Sequence, residues 1–240
     1  MSLTCSLQVK IDSIDFKRVH LHCLQNFPAP HKEIAVWLTK EDPSALDKYL
    51  VPSQRLFAES IKLEKKRSDF LRSRALLNYA TGTIGPYNFQ ESQPPKHGDF
   101  YVSVSHKDGY AAASLSLVHQ HLGVDVELFK PLSSHFRNKV LSSSECQNFS
   151  ETLLPTVIAF SFKESVFKAL NPTYPQVKYF HQCQIVSFLN NAIKAEVTLG
   201  DPNSEAPPKR LCIYGNVWIL ESHETRYAVS IAYCLKSSSN

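Results

Sequence analysis

The sequence contains little glycine and no membrane-length apolar segment. Only 7 of its 240 residues are glycine, and no stretch approaches the ~20 consecutive apolar residues of a transmembrane helix. Its 6 cysteines include no CxxC pair, which argues against a zinc site or a disulfide scaffold. The first residues, MSLTC, lack a basic region followed by an apolar run, so we expect no secretory signal and a cytoplasmic protein.

The composition is that of an ordinary globular protein with a mildly basic surface. Hydrophobic residues make up 43%, and the net charge is +4. A positive surface suits anionic partners such as phosphate-bearing ligands, acidic proteins or nucleic acid. A nucleic-acid binder would carry a longer basic stripe with interleaved aromatic residues than the short run at 65–74.

The hydrophobic pattern predicts an α+β fold in which helices pack on antiparallel sheets. Helical periodicity appears in residues 44–80 and 142–170. Strand-like runs occupy 33–39, 101–105, 110–117, 122–128, 183–189, 192–199, 211–220 and 226–234. A weak repeat, in which the segments from Phe70 and Tyr110 resemble those from Phe162 and Tyr227, predicts two similar halves, 1–119 and 120–240.

The segment LGVDVEL at 122–128 places two carboxylates side by side. Residues on a strand alternate between faces, so Asp125 and Glu127 share one face and the apolar residues share the other. A divalent cation between two carboxylates would turn their repulsion into affinity, and oxygen ligands favour Mg²⁺ or Mn²⁺. The alternative is a surface strand with two solvated acids.

Three further segments carry polar groups suited to phosphate chemistry. In 159–170, Phe162, Val166 and Ala169 mark the buried face of a helix, whereas Glu164 and Lys168 are i, i+4 neighbours that could also be an ordinary exposed pair. A serine and histidine at 105–106 follow a strand, and five cations lie within 65–74. Such groups can bind phosphate, although a loop histidine and a basic helix are also common structural features.

Together and in this order, the segments resemble the 4′-phosphopantetheinyl transferases of the surfactin-synthetase and enterobactin-synthetase type. That family has a G-V-D-(I/V)-E strand followed by a helix reading (F/W)-S-x-K-E-S-x-x-K, which correspond here to 123–127 and 160–168. An R-x-x-F-L segment and an S-x-S-H segment precede them, at 67–71 and 103–106.

The resemblance implies two α+β halves related by a pseudo-twofold axis. It also implies a Mg²⁺-dependent enzyme that moves the phosphopantetheine arm of coenzyme A to a serine of an acyl or peptidyl carrier protein and releases 3′,5′-ADP. Asp125, Glu127 and Glu164 would hold the Mg²⁺ (or Mn²⁺), and either Glu164 or Lys168 would be the general base.

The resemblance further implies a set of coenzyme A contacts, with the histidine at the 3′-phosphate. These residues are Arg67, Arg74, Lys96, Ser105, His106, Lys163 and Lys168. We expect a monomer that serves acidic carrier domains of secondary metabolism and binds neither nucleic acid nor membrane.

Two other functions remain open from the residues. A non-catalytic protein could keep the fold and bind coenzyme A or carrier domains, although no predicted catalytic acid is missing. A metal-dependent phosphohydrolase or nuclease could use the same three acids, although such enzymes usually have more acids or two metals.

Overall fold

A computed structural model describes residues 9–10, 17–19, 34–40, 42–82, 99–199, 209–222 and 225–234. The chain divides into two units, one of Asp12–Gln120 and one of Met1–Ile11 with His121–Asn240. Within the described residues, no helix is long and apolar enough to cross a membrane.

The unit Asp12–Gln120 contains an antiparallel sheet and two helices. Its strands, in the spatial order β2–β3–β5–β4, are β2 (Lys17–Val19), β3 (Ile34–Thr39), β4 (Tyr101–Lys107) and β5 (Tyr110–Ser116). Helices α1 (Pro52–Ser60) and α2 (Glu64–Thr81) follow a 3-10 turn at Asp47–Tyr49. Leu76 and Leu77 of α2 pack on apolar residues of β4 and β5, so α2 lies against this sheet.

The second unit contains a larger sheet. Its strands, in the spatial order β6–β10–β9–β8–β7, are β6 (Leu122–Leu128), β7 (Cys183–Leu189), β8 (Ala192–Leu199), β9 (Lys209–Ser222) and β10 (Thr225–Cys234). These neighbours are antiparallel, whereas β1 (Val9–Lys10) pairs in parallel with β9. Its helices are α3 (Ser134–Val140), α4 (Ser143–Asn148) and α5 (Thr156–Leu170).

The antiparallel sheets and packed helices agree with the predicted mixture of strands and helices, and the range predicted for β6 is the observed one. The helical segment 142–170 is interrupted between α4 and α5, next to Pro155. Helix α3 was not predicted; it is short, and its start is stabilised by Ser133, whose hydroxyl accepts from the backbone nitrogen of Phe136.

Strand β1 comes from the N-terminal part of the chain but pairs with the larger sheet; the division at residue 119 stays a prediction. Val9 and Lys10 lie in register with Leu220 and Glu221 of β9, so this strand belongs to the sheet of the second unit. A two-residue strand has no hydrophobic periodicity from which its partner could be read. The pseudo-twofold relation between the halves remains a prediction.

Candidate active site on strand β6 and helix α5

Strand β6 presents both predicted acids on the face that α5 covers. Gly123, Asp125 and Glu127 alternate with the apolar residues and share this face. A Cβ on Gly123 would lie 1.8 Å from the backbone oxygen of Ser165 and 2.8 Å from the backbone nitrogen of Ala169. Glycine therefore allows α5 to lie directly on β6, and Asp125 is only 4% exposed. This burial excludes the alternative in which Asp125 is a solvated acid on a surface strand.

Helix α5 brings Glu164 and Lys168 to this face. It begins at Thr156, whose backbone nitrogen and hydroxyl donate to the two carboxylate oxygens of Glu151, at 2.8 and 2.7 Å. The predicted inward-facing residues of the helix are buried; these are Phe162, Val166 and Ala169. Their packing fixes the rotation of α5 about its axis, and this rotation directs Glu164 and Lys168 toward β6.

Three buried serines hold α5 in register with the sheet. The hydroxyls of Ser161 and Ser165, one helical turn apart, lie 2.8 and 2.7 Å from the hydroxyl of Ser230 on β10. The Ser165 hydroxyl also donates to the backbone oxygen of Ser230 at 3.0 Å. Ser230 is the register partner of Asp125, so this hydrogen-bonded cluster adjoins the acid on the neighbouring strand.

The role of these serines was missed from the sequence, although a signal was present. Ser161 and Ser165 are four residues apart beside the apolar stripe of α5, and small polar residues buried in such a stripe need hydrogen-bond partners. The partner on β10 is 65 residues away from Ser165, and helical periodicity carries no information about that distance.

The charged side chains of β6 and α5 interact with one another. The amine of Lys168 donates to Asp125 Oδ1 at 2.7 Å and to the backbone oxygen of Val124 at 3.2 Å. Burial raises the pKa of Glu164 above its ordinary value; the negative charge of Asp125 raises it further, Lys168 lowers it, and Glu127 raises it. The two acids of β6 therefore act electrostatically on Glu164.

The acids are not gathered around a single point. Among the residues that the structure describes, no three His, Cys, Asp or Glu side chains lie close enough together to hold a metal ion. The chemistry of the donor set still fits a small divalent cation, because carboxylate oxygens are hard ligands and their mutual repulsion favours a bound cation. The metal site remains a prediction, and forming it would require side-chain movement.

Replacing Gly123 with alanine should displace α5. Its methyl group would overlap backbone atoms of the helix, so relief requires the whole element to move, and we expect a cost of about 2–3 kcal/mol. Chemical denaturation measures the loss of stability, and activity per folded molecule measures the shift of Glu164 and Lys168. The variant Gly82→Ala adds a methyl group where no atom lies within 4 Å; because φ is +63° there, it costs about 1–2 kcal/mol of backbone strain, yet it should keep its activity per folded molecule. Wild-type stability in Gly123→Ala would refute this packing.

The resemblance implied that Lys163 contacts coenzyme A, but its amine is buried and already has protein partners. Its side chain is 0% exposed, and its amine donates to Glu145 Oε2 at 2.9 Å and to the backbone oxygens of Val140 and Phe180 at 2.8 and 3.3 Å. An ammonium group has three donors, and these contacts occupy them. We therefore treat Lys163 as a structural residue.

Close by, burial raises the pKa of Cys183 to about 12, although Lys163 opposes the shift. Cys183 and Lys163 are both 0% exposed, so the amine of Lys163 lies in a dry environment. A phosphate group of a ligand would have to enter that environment to reach it.

The predicted phosphate contacts of the other unit lie on α2 and β4. His106 Nδ1 is 3.4 Å from Asp69 Oδ2, and the side chain of His106 is 50% exposed. Arg67 donates from Nε and one terminal nitrogen to the backbone oxygen of Ile61, at 3.1 and 2.9 Å. These contacts secure the start of α2 and leave the second terminal nitrogen of Arg67 outside that bond.

Three predicted coenzyme A contacts remain: Arg74, Ser105 and Lys96. Arg74 stacks over the ring of Phe70, with 5.1 Å from its guanidinium carbon to the ring centre. Ser105 on β4 is 6% exposed. Lys96 lies outside the described residues.

Comparison with known proteins covers the part of the chain that carries β6 and α5. None of the curated proteins matches the sequence. Just under half of the chain, residues 121–232, matches the family model described as the 4′-phosphopantetheinyl transferase superfamily.

Proposed function

We propose that the whole chain is a 4′-phosphopantetheinyl transferase of the surfactin-synthetase and enterobactin-synthetase type. It would transfer the phosphopantetheine arm of coenzyme A to a serine of an apo acyl or peptidyl carrier protein and release 3′,5′-ADP. The observation that carries this proposal is the family match over 121–232, which contains Asp125, Glu127, Glu164 and Lys168 on facing elements. The predicted carrier domains of secondary metabolism, the monomeric state and the cytoplasmic location belong to the same proposal.

The three acids are the residues that would hold Mg²⁺ or Mn²⁺. Bound there, the cation would offset the negative charge that develops on the leaving 3′,5′-ADP. Burial raises the pKa of Glu164, and the negative charges of Asp125 and Glu127 raise it further; a bound cation would offset these two charges. Asp125 is already paired with a cation, the amine of Lys168.

Lys168 is suited to bind the pyrophosphate of coenzyme A. Its side chain is about one-third exposed, at 32%, so its amine can reach a ligand without leaving the site. Exchange of the Asp125 carboxylate for a phosphate oxygen would keep the amine in a charge-assisted hydrogen bond. The same exchange would free Asp125 for the cation.

The proton of the carrier serine must be accepted as its oxygen forms a bond to phosphorus and the bond from phosphorus to the ADP oxygen breaks. Glu164 is the acceptor that we favour over Lys168. A carboxylate has lone pairs on both oxygens, so it can hold a cation with one and accept a proton at the other. Lys168, by contrast, already donates to two oxygens.

Intact-mass measurement tests the proposal directly. The protein is incubated with Mg²⁺, coenzyme A and several apo carrier domains, and a gain of one phosphopantetheine arm on a carrier is expected. The matched control is a carrier in which the acceptor serine is replaced by alanine, and it should gain nothing. Absence of a gain on every carrier would overturn the proposal.

The same mixtures separate the competing functions. A phosphohydrolase would release 3′,5′-ADP from coenzyme A without a carrier. A non-catalytic binding protein would bind coenzyme A without changing it.

A further inference from the structure

Asp69 is a buried carboxylate within the basic run of α2. It is 5% exposed, although Lys65, Lys66 and Arg67 precede it in the helix. Among the described residues of Asp12–Gln120, no other aspartate or glutamate is buried. Burying a carboxylate is costly unless charged or hydrogen-bonding partners compensate.

Two basic side chains share the carboxylate of Asp69. Oδ1 is 3.5 Å from a terminal nitrogen of Arg72, one turn further along α2, and Oδ2 is 3.4 Å from His106 Nδ1 on β4. Arg72 is itself 7% exposed. Its pKa is lowered by burial, against which Asp69 and Asp42 act. Asp69 thus links a buried arginine to a half-exposed histidine.

This arrangement restrains the imidazole ring of His106. A carboxylate beside Nδ1, here 3.4 Å away, favours one ring orientation and a proton on that nitrogen, as the outer carboxylates of histidine ligands do in metal sites. The imidazolium donates from both nitrogens. Half of the His106 side chain is open to solvent, so an anion can approach the ring.

We propose that Asp69 is a positioning residue that orients His106 toward the 3′-phosphate of coenzyme A and so determines the preference for coenzyme A over its 3′-dephospho form. This inference rests on the proposed function. Asp69 has no contact with the ligand in this role and acts through the imidazole.

Asp69→Asn in the full chain tests the role. We expect KM for coenzyme A to rise about 10-fold or more, as for other outer-shell carboxylates, with kcat unchanged and KM for 3′-dephospho-coenzyme A unchanged. His106→Ala should give the same selective loss, and the double variant should lose no more than either single one, because the two residues act as a unit.

The control is Asp47→Asn, which removes an exposed carboxylate from an ion pair with Arg55 in the same unit. It should leave both KM values unchanged. An equal rise in KM for both substrates, additive losses in the double variant, or a loss of stability alone would overturn the role of Asp69.

A measurement on the wild-type protein keeps the test decisive if Asp69→Asn does not fold. Nitrogen-15 NMR of His106 should show a proton on Nδ1 in the free protein and a shift of Nε2 when 3′,5′-ADP is added. An unprotonated Nδ1, or no response of Nε2, would overturn the inference. Absence of transfer by the wild-type enzyme would instead overturn the proposed function, so the two failures are distinguishable.

Discussion

Glu164→Gln should lose phosphopantetheine transfer and, at the same time, gain stability. The substitution keeps the shape of the side chain but removes the charge proposed to hold the cation and accept the serine proton. Loss of a general base alone typically costs about 100- to 10,000-fold in rate. We therefore expect the transfer rate to fall by at least about 100-fold. The initial rate of mass gain on the carrier measures this loss.

The gain in stability follows from the raised pKa of Glu164. An acid whose pKa is higher in the folded than in the unfolded protein lowers stability when it is ionised, so the cost is present above the folded-state pKa and disappears as the pH falls toward 4.5. The glutamine variant should melt at a higher temperature than the wild-type protein at pH 8 without divalent cation. The difference should disappear near pH 4.5.

Glu196→Gln is the matched control for this prediction. Glu196 forms an exposed ion pair with Arg210 in the same unit, and its loss should change neither transfer nor the pH dependence of melting. Addition of Mg²⁺ should stabilise the wild-type protein and the control more than Glu164→Gln. Wild-type transfer rates in Glu164→Gln would refute both the metal assignment and the choice of base.

The sequence predicted the elements of the site better than the interior that supports them. Regular alternation over 122–128 gave the range of β6, and the residues at i, i+4 and i+7 in 162–169 gave the buried face of α5. These patterns depend only on local geometry. They therefore also indicated that Asp125 and Glu127 share a face and that Glu164 and Lys168 share another.

Two residues whose contacts the sequence did not reveal have partners far along the chain. Lys163 is four residues after Ala159 and three before Val166, both buried, so helical spacing did place it within the apolar stripe. A lysine there requires a buried acid, but the periodicity does not identify Glu145, 18 residues away. The contact between Asp69 and His106 joins helix α2 to strand β4. Helical periodicity within α2 therefore did not reveal it.

Lys163→Met should be among the most destabilising single substitutions in the second unit. Both members of its ion pair are fully buried, at 0% and 1% exposed, and removal of one partner from a buried pair typically costs about 3–5 kcal/mol, because the other charge stays uncompensated. The urea midpoint of the unfolding transition measures the cost. Arg210→Met, in the exposed pair with Glu196, should cost less than about 1 kcal/mol.

A second substitution at Glu145 distinguishes this structural role from ligand binding. Its carboxylate also accepts from the backbone nitrogens of Ser142 and Ile185, at 2.7 and 2.6 Å, and a glutamine oxygen can keep one of these bonds. Lys163→Met with Glu145→Gln should therefore be more stable than Lys163→Met alone, because no unpaired charge is left inside. Where these variants fold, KM for coenzyme A should equal that of the wild-type enzyme. A many-fold rise in KM with unchanged stability would instead return Lys163 to the coenzyme A site, in which case its amine must leave Glu145 to bind phosphate.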